Sequence, residues 1–159
     1  MSTAEDRIHS LEIPLVENAL LVPSAAVAEV ANPTELFPMP GAPRWMLGVV
    51  GWRSLAVSVI SFEALMGGAP SFVTAASKVV IFYPFPGRAR TDFYGVLSAA
   101  EPRPQHVSSG SVDEEDPARL PDTLLIAAGV RVRDRTLLIP DFDVLRRTLY
   151  PQEPAAGAR

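Results

Sequence analysis

The chain has 159 residues, 48% of them hydrophobic and 20% charged, with a net charge of −4 and no cysteine. That length fits one domain, or two very small ones sharing a core, and the composition excludes a disordered chain. Without thiols, disulfides, zinc–thiolate sites and cysteine catalysis are excluded, and the dispersed cations leave no basic face for nucleic acid.

The opening MSTAEDRIHS has no basic stretch followed by an apolar one, so no signal peptide is expected. IHSLEIPL (Ile8–Leu15) alternates apolar and polar residues and reads as a half-buried strand, with Glu17-Asn18 as a hairpin tip. ALLVPSAAVAEVA returns as a strand followed by a short helical turn or a further strand, and NPTELFPMPGAP, rich in Pro and Gly, is a loop. RWMLGVVGW and SLAVSVISF are expected as two strands joined tightly around Arg53-Ser54. Both are apolar on both faces, so they should lie centrally in the core or be buried against a partner. FEALMGG is a helical turn with Ser61 as N-cap, Glu63 at the positive helix end and Gly67 as stop.

APSFVTAAS connects to a strand in KVVIFYPF; PGRART turns the chain into a second strand in DFYGVLSAAEP. The longest uncharged run, Ala64–Ser77, is broken by glycine and proline and falls short of the roughly 18 apolar residues of a membrane helix. RPQHVSSGSVDEEDPARLPD is expected as a long polar loop. TLLIAAGVRV and RTLLIPDF then pair around Asp134-Arg135, DFDVLRRTLY forms a helix capped by Asp141, and PQEPAAGAR is a frayed tail. Sixteen scattered prolines agree with short elements and many turns.

GVVGWRSLAVSVISFEAL and GVRVRDRTLLIPDFDVL share a layout: glycine, strand, an arginine-bearing tip, an apolar strand, then Ser/Asp-Phe-Glu/Asp opening a helix. A duplicated small β module is the economical reading; chance similarity of two hairpins is the other.

No motif announces chemistry. His9 and His106 have no acidic residue at metal-ligand spacing, Ser108–Ser111 lacks the strand–turn–helix setting of a nucleophile elbow, and no phosphate or dinucleotide loop is present. Asp113–Asp116 lacks calcium-loop spacing and reads as a solvated loop. No catalytic residue, metal site or cofactor is expected, and the chain is read as a non-enzyme.

Taken together, VAEV (Val27–Val30), PMPGAPRWMLGVVGWR (Pro38–Arg53) and VISFEALMG (Val59–Gly67) resemble the CheW adaptor family, in which these stretches read Val-x-Glu-Val, Leu-Pro-Gly-x-Pro followed by Leu-Gly-Val-x-Asn-Leu-Arg-Gly, and Pro-Val-x-Asp-Leu. YGVLSAAEP and LLIAAGVRVRDRTLLIPDFDVL match the family's later part more loosely. The resemblance implies a mostly β fold of two small five-stranded SH3-like β-barrels sharing a hydrophobic core, with short helices. It places a single domain at residues 8–150, with subdomains at 27–90 and at 8–26 plus 91–150, between flexible tails at 1–7 and 151–159. It implies a cytoplasmic, non-enzymatic scaffold of a two-component chemotaxis pathway. Its partners would be the regulatory domain of a CheA-type histidine kinase and the cytoplasmic tip of a methyl-accepting chemoreceptor, with no nucleic acid and no membrane insertion.

The sequence departs from the family at Gly51-Trp52-Arg53-Ser54, at Ser61-Phe62 and at Ser98, where an acidic residue is usual, and is similar to the divergent members serving type IV pilus (twitching) systems. The partner-binding residues so implied are Arg53, Trp52, Gly48, Val27 and Glu29. Arg53 can grip a partner's carboxylate or carbonyls through its planar fork, or pair with Glu29 within the monomer. Val27 and Trp52 also read as core, Gly48 as a strand bulge, and Glu29 as either a rim contact or Arg53's local partner. The alternative function is a small-molecule-binding β-barrel, which would need an enclosed pocket with converging polar groups.

Overall fold

The computed structural model describes residues 7–108 and 110–151. The expected tails therefore lie outside the described residues except for Arg7 and Pro151. The chain begins with β1 (Ile8–Pro14) and β2 (Ala19–Pro23), passes through a 3-10 turn at Ser24–Ala26, and continues as β3 (Val27–Ala31). After the proline-rich loop come β4 (Met46–Trp52), β5 (Leu55–Ile60) and α1 (Phe62–Leu65), then β6 (Lys78–Phe82) and β7 (Tyr94–Ser98). The last part holds β8 (Arg103–Val107), β9 (Asp113–Glu114), a 3-10 turn at Pro117–Arg119, β10 (Ile126–Val132), β11 (Arg135–Pro140) and α2 (Phe142–Leu149).

These strands form two sheets, one ordered β3-β6-β7-β5-β4 and the other β8-β1-β2-β11-β10-β9. The first five strands of the second order repeat the first. In each sheet a hairpin's second strand joins a neighbour in parallel, β5 with β7 and β11 with β2. Each hairpin ladder also bulges near its start, between Met46 and Gly48 and between Ile126 and Ala128. By pairing register residue 53 corresponds to 133 and residue 61 to 141, so the duplicated module is visible in the pairing itself.

Both helices start as their capping residues dictate. Ser61 Oγ accepts from Ala64 N at 3.3 Å, and Asp141 Oδ1 accepts from Asp143 N and Val144 N at 3.0 Å each. Gly67, at φ +93°, ends α1.

Among the described residues, three buried clusters hold the fold. The largest takes Ile13, Leu20 and Leu138 from one sheet, Ile60, Phe82 and Val96 from the other, and Leu145 from α2, so it lies between the sheets and belongs to both. Val50, Trp52, Val57, Val59, Val79, Ile81 and Leu97 fill the first sheet's own interior. Ala19, Leu21 and Leu137 are buried in the second. Ser98 ties the halves: its hydroxyl lies 2.6 Å from the Ala100 carbonyl and 3.2 Å from that of Pro14. A hydroxyl can donate to these carbonyls where a carboxylate could not.

Three sequence expectations need correction. The segment Arg103–Asp122 is not one long loop, because β8 pairs with β1 along Ile8–Glu12 and β9 pairs with β10. β7 pairs with β6 and β5, so the first sheet extends to Ser98 rather than ending at residue 90. The second hairpin turns at Arg133-Asp134, with Val132 opposite Arg135. The two apolar strands lie in the core as expected, with Val50 and Trp52 of β4 and Val57 and Val59 of β5 buried together; β4 is terminal in its sheet, and its outer edge is covered by the loop, where Phe37 and Val49 exchange backbone hydrogen bonds of 2.9 and 2.8 Å.

Candidate functional site: a cationic hairpin tip joined to an apolar groove

The β4–β5 hairpin pairs Trp52 with Leu55, leaving Arg53 and Ser54 as a two-residue turn. Both have positive φ, +47° and +63°. Two-residue hairpin turns require this, and favour Asn and Gly for it; here a long cationic side chain takes the strained position instead. The Arg53 side chain is 64% exposed. Its guanidinium carbon stands 4.5 Å from the centre of the Trp52 ring, within cation–π range.

Glu29 on β3 completes the group. One carboxylate oxygen accepts from the Trp52 indole N–H and the other lies 3.7 Å from Arg53 Nη2. Since β3 and β4 stand at opposite ends of the sheet order, this carboxylate bridges the two edges and closes the sheet upon itself. Arg53 thus has the local partner foreseen for it, but loosely and in the open: at 3.7 Å, with the side chains 64% and 43% exposed, the pair contributes little to stability. Trp52 is 8% exposed and supports the tip from beneath.

From the buried Trp52 an aromatic series runs out to the surface. Phe93 packs edge-on against it at 4.8 Å between ring centres, and Tyr83 follows Phe93 at 5.9 Å. Tyr83 is 51% exposed and forms one wall of a groove of about 320 Å³. The floor and other wall come from Ala25, Ala26, Phe85, Tyr94 and Phe142. These belong to the link between β2 and β3, the ends of β6 and β7, and the start of α2, so the groove lies where the two sheets meet. It is apolar and open.

Val27, half-buried and opposite Phe82, packs on the shared core and does not line the groove. Gly48 stands apart. It is buried, with φ +152°, and a Cβ there would lie 2.4 Å from the Phe37 carbonyl oxygen. Its bulge lets the Leu36–Phe37 backbone settle on β4. The structure therefore brings together Arg53, Trp52 and Glu29, packs Val27 on the shared core, and gives Gly48 an internal fit.

Sequence reasoning missed Tyr83, Phe93 and Phe142 as site residues. They come from three distant segments, and only the aromatic and proline density of IFYPFPGRARTDFY hinted at a surface there.

Chemistry is sparse elsewhere. His9 and His106 face each other across β1 and β8, ring centres 4.8 Å apart, and among the described residues no group of three or more His, Asp or Glu could hold a metal. A recess of about 470 Å³ opens into the second sheet beside Glu12. Glu12 is 1% exposed, and its oxygens are taken up by Arg135, in a two-point grip, and by Gln105 Nε2 at 3.0 Å. Hydrogen bonding to Glu12 holds the Arg135 guanidinium above its usual range. Among the described residues, no helix is long and apolar enough to cross a membrane.

Residues 10–148 match the CheW-like domain family. No curated protein sequence matches the chain. Among solved structures, the crystal structure of scaffolding protein TtCheW from Thermoanaerobacter tengcongensis superposes with a TM-score of 0.71 at 16% sequence identity, covering 89% of this chain and 88% of that one. At that identity the likeness is one of fold.

Proposed function

The chain belongs to the CheW-like domain family, and on that premise we propose that it is a non-enzymatic cytoplasmic scaffold of bacterial chemosensory signalling. It couples the cytoplasmic tip of a methyl-accepting chemoreceptor to the regulatory domain of a CheA-type histidine kinase. The output is flagellar chemotaxis or, following the departures at Gly51–Ser54 and Ser61-Phe62, type IV pilus motility. The observation that carries this reading is the continuity of the aromatic packing: a cation at a strained hairpin tip rests on Trp52, from which Phe93 and Tyr83 lead to an apolar groove between the sheets.

Such a surface suits a helical hairpin tip. The groove takes its apolar face, while the Arg53 fork meets a carboxylate or free carbonyls at a helix end, where a cation is favoured. Arg and aromatic residues dominate affinity at interfaces because they lose little freedom for the contact they make. Glu29 holds the arginine in reach, and Trp52 gives it a rigid base. Binding receptor and kinase on one stiff body raises their effective concentration for each other and makes geometry the signal.

The small-molecule reading finds less support. The interior of the first sheet is filled by Trp52, Ile81 and their neighbours, and the carboxylate of the recess in the second is already engaged by Arg135 and Gln105.

The test is co-purification from the native cell. Arg53→Glu should fold as the wild type yet bring down less receptor, with an affinity loss of about 2–5 kcal/mol if the guanidinium is buried on docking. Undiminished recovery of receptor and kinase would end the claim for Arg53.

A further inference from the structure

The end of the first sheet remote from the groove carries a second exposed apolar surface. The groove lies beyond Phe82, where β6 ends; this second surface adjoins Ser77, before β6 begins. One strand length, about 17 Å for five residues, separates them. Phe72 is 82% exposed and Val16 68%, and they flank a groove of about 530 Å³ whose other walls include Met66, Pro70 and Pro121.

These side chains are held outward by ordered backbone. The Glu63 carboxylate accepts from the Val16 N–H, from Glu17 N at 3.4 Å and, on its other oxygen, from Ser71 Oγ at 3.0 Å. Ser71 N in turn donates to the N-cap hydroxyl of Ser61 at 3.1 Å. One carboxylate thus fixes both the β1–β2 tip and the segment leading to Phe72. Exposed side chains of this size on pinned backbone mark an interaction surface.

Its charge says what it would accept. Glu17 and Glu63 line the groove and, among the described residues, no lysine or arginine does; Asp122 and the 83%-exposed Leu124 continue the surface past Pro121. A second copy of this chain, itself at net charge −4, would bring like charge to like, and nucleic acid or an anionic membrane would be repelled.

We propose that this face docks a basic, amphipathic segment of a partner protein. An aliphatic or aromatic anchor enters between Val16 and Phe72, and flanking lysines or arginines meet Glu17, Glu63 and Asp122. This site is independent of the surface around Arg53.

The experiment pans displayed dodecapeptides against the full-length chain, with counter-selection on the Val16→Ser, Phe72→Ser double variant. Enriched sequences should carry an apolar anchor beside lysine or arginine. A synthesised winner should bind the wild type at least tenfold more tightly than the double variant, weaken with added salt and with Glu17→Lys, and bind Arg53→Glu unchanged. If the double variant unfolds at a lower midpoint than the wild type, Glu17→Lys with Asp122→Lys replaces it as the comparison. Neutral or acidic winners, winners retained equally by the variant, or a self-association of the wild type that the variant loses would each overturn the proposal.

Discussion

Glu29 and Trp52 sit on the two outermost strands of one five-stranded sheet, and the indole N–H of Trp52 donates to the Glu29 carboxylate. This contact closes the sheet and, through the carboxylate's other oxygen, orients Arg53.

The closure should be measurable apart from the ion pair. Glu29→Gln keeps an acceptor for the indole and loses only a loose, exposed charge pair, so its urea midpoint should stay close to wild type. Glu29→Ala leaves the N–H of a nearly buried ring without that acceptor and should cost about 1–2 kcal/mol. Equal stability of the two variants would show that closure does not depend on this hydrogen bond.

Gly48 and Gly51 lie on the same strand and should respond oppositely. A Cβ at Gly48 would meet the Phe37 carbonyl oxygen at 2.4 Å, in a backbone conformation L-residues rarely adopt. Gly48→Ala is therefore expected to destabilise by about 2–4 kcal/mol in thermal or urea unfolding. At Gly51 nothing among the described residues lies within 4 Å of the added carbon, and Gly51→Ala should be neutral or slightly stabilising.

The duplication makes a further prediction. By pairing register, Glu12 and Arg135 of the second sheet occupy the places of Ile81 and Leu55 in the first. Arg135→Ala strands a buried carboxylate and should cost about 3–5 kcal/mol. Glu12→Ile combined with Arg135→Leu imports the first sheet's own pair, and should recover most of that loss or exceed wild-type stability in the same unfolding assay.

Acid should reveal Glu115. The Thr136 hydroxyl, donating at 2.6 Å, is the main cause that holds this carboxyl below its ordinary range, helped by the Asp116 N–H, Arg131 and Arg119. A carboxyl whose folded value is depressed adds stability that is complete above its unfolded value and disappears as pH falls through the folded one. Unfolding midpoints followed from neutral into acid should drop less steeply for Glu115→Gln than for the wild type; identical slopes would remove Glu115 from the account.

Local chemistry was readable in the sequence and distant assembly was not. Ser61 and Asp141 declare their caps because a cap acts over three residues. The Arg53-Ser54 tip shows as the break between two apolar runs, and the shared layout around Arg53 and Arg133 shows the duplication. β8 was hidden because RPQHV is an edge strand with mostly exposed side chains and a proline, which reads as loop. β7's place was hidden because pairing, not composition, assigns a strand to a sheet. Arg53 and Glu29 were found through resemblance and charge. Tyr83, Phe93 and Phe142 carry no such mark, since their common surface exists only once β6, β7 and α2 have packed.

The most direct measurement is calorimetric titration of the scaffold with a soluble fragment of the host cell's chemoreceptor tip. Arg53→Glu and Tyr83→Ser alter the two ends of the proposed surface at exposed side chains. Both should keep the wild-type unfolding midpoint while binding the fragment at least tenfold more weakly, about 1.4 kcal/mol or more. Wild-type affinity in both variants would contradict a docking surface running from Arg53 to the groove.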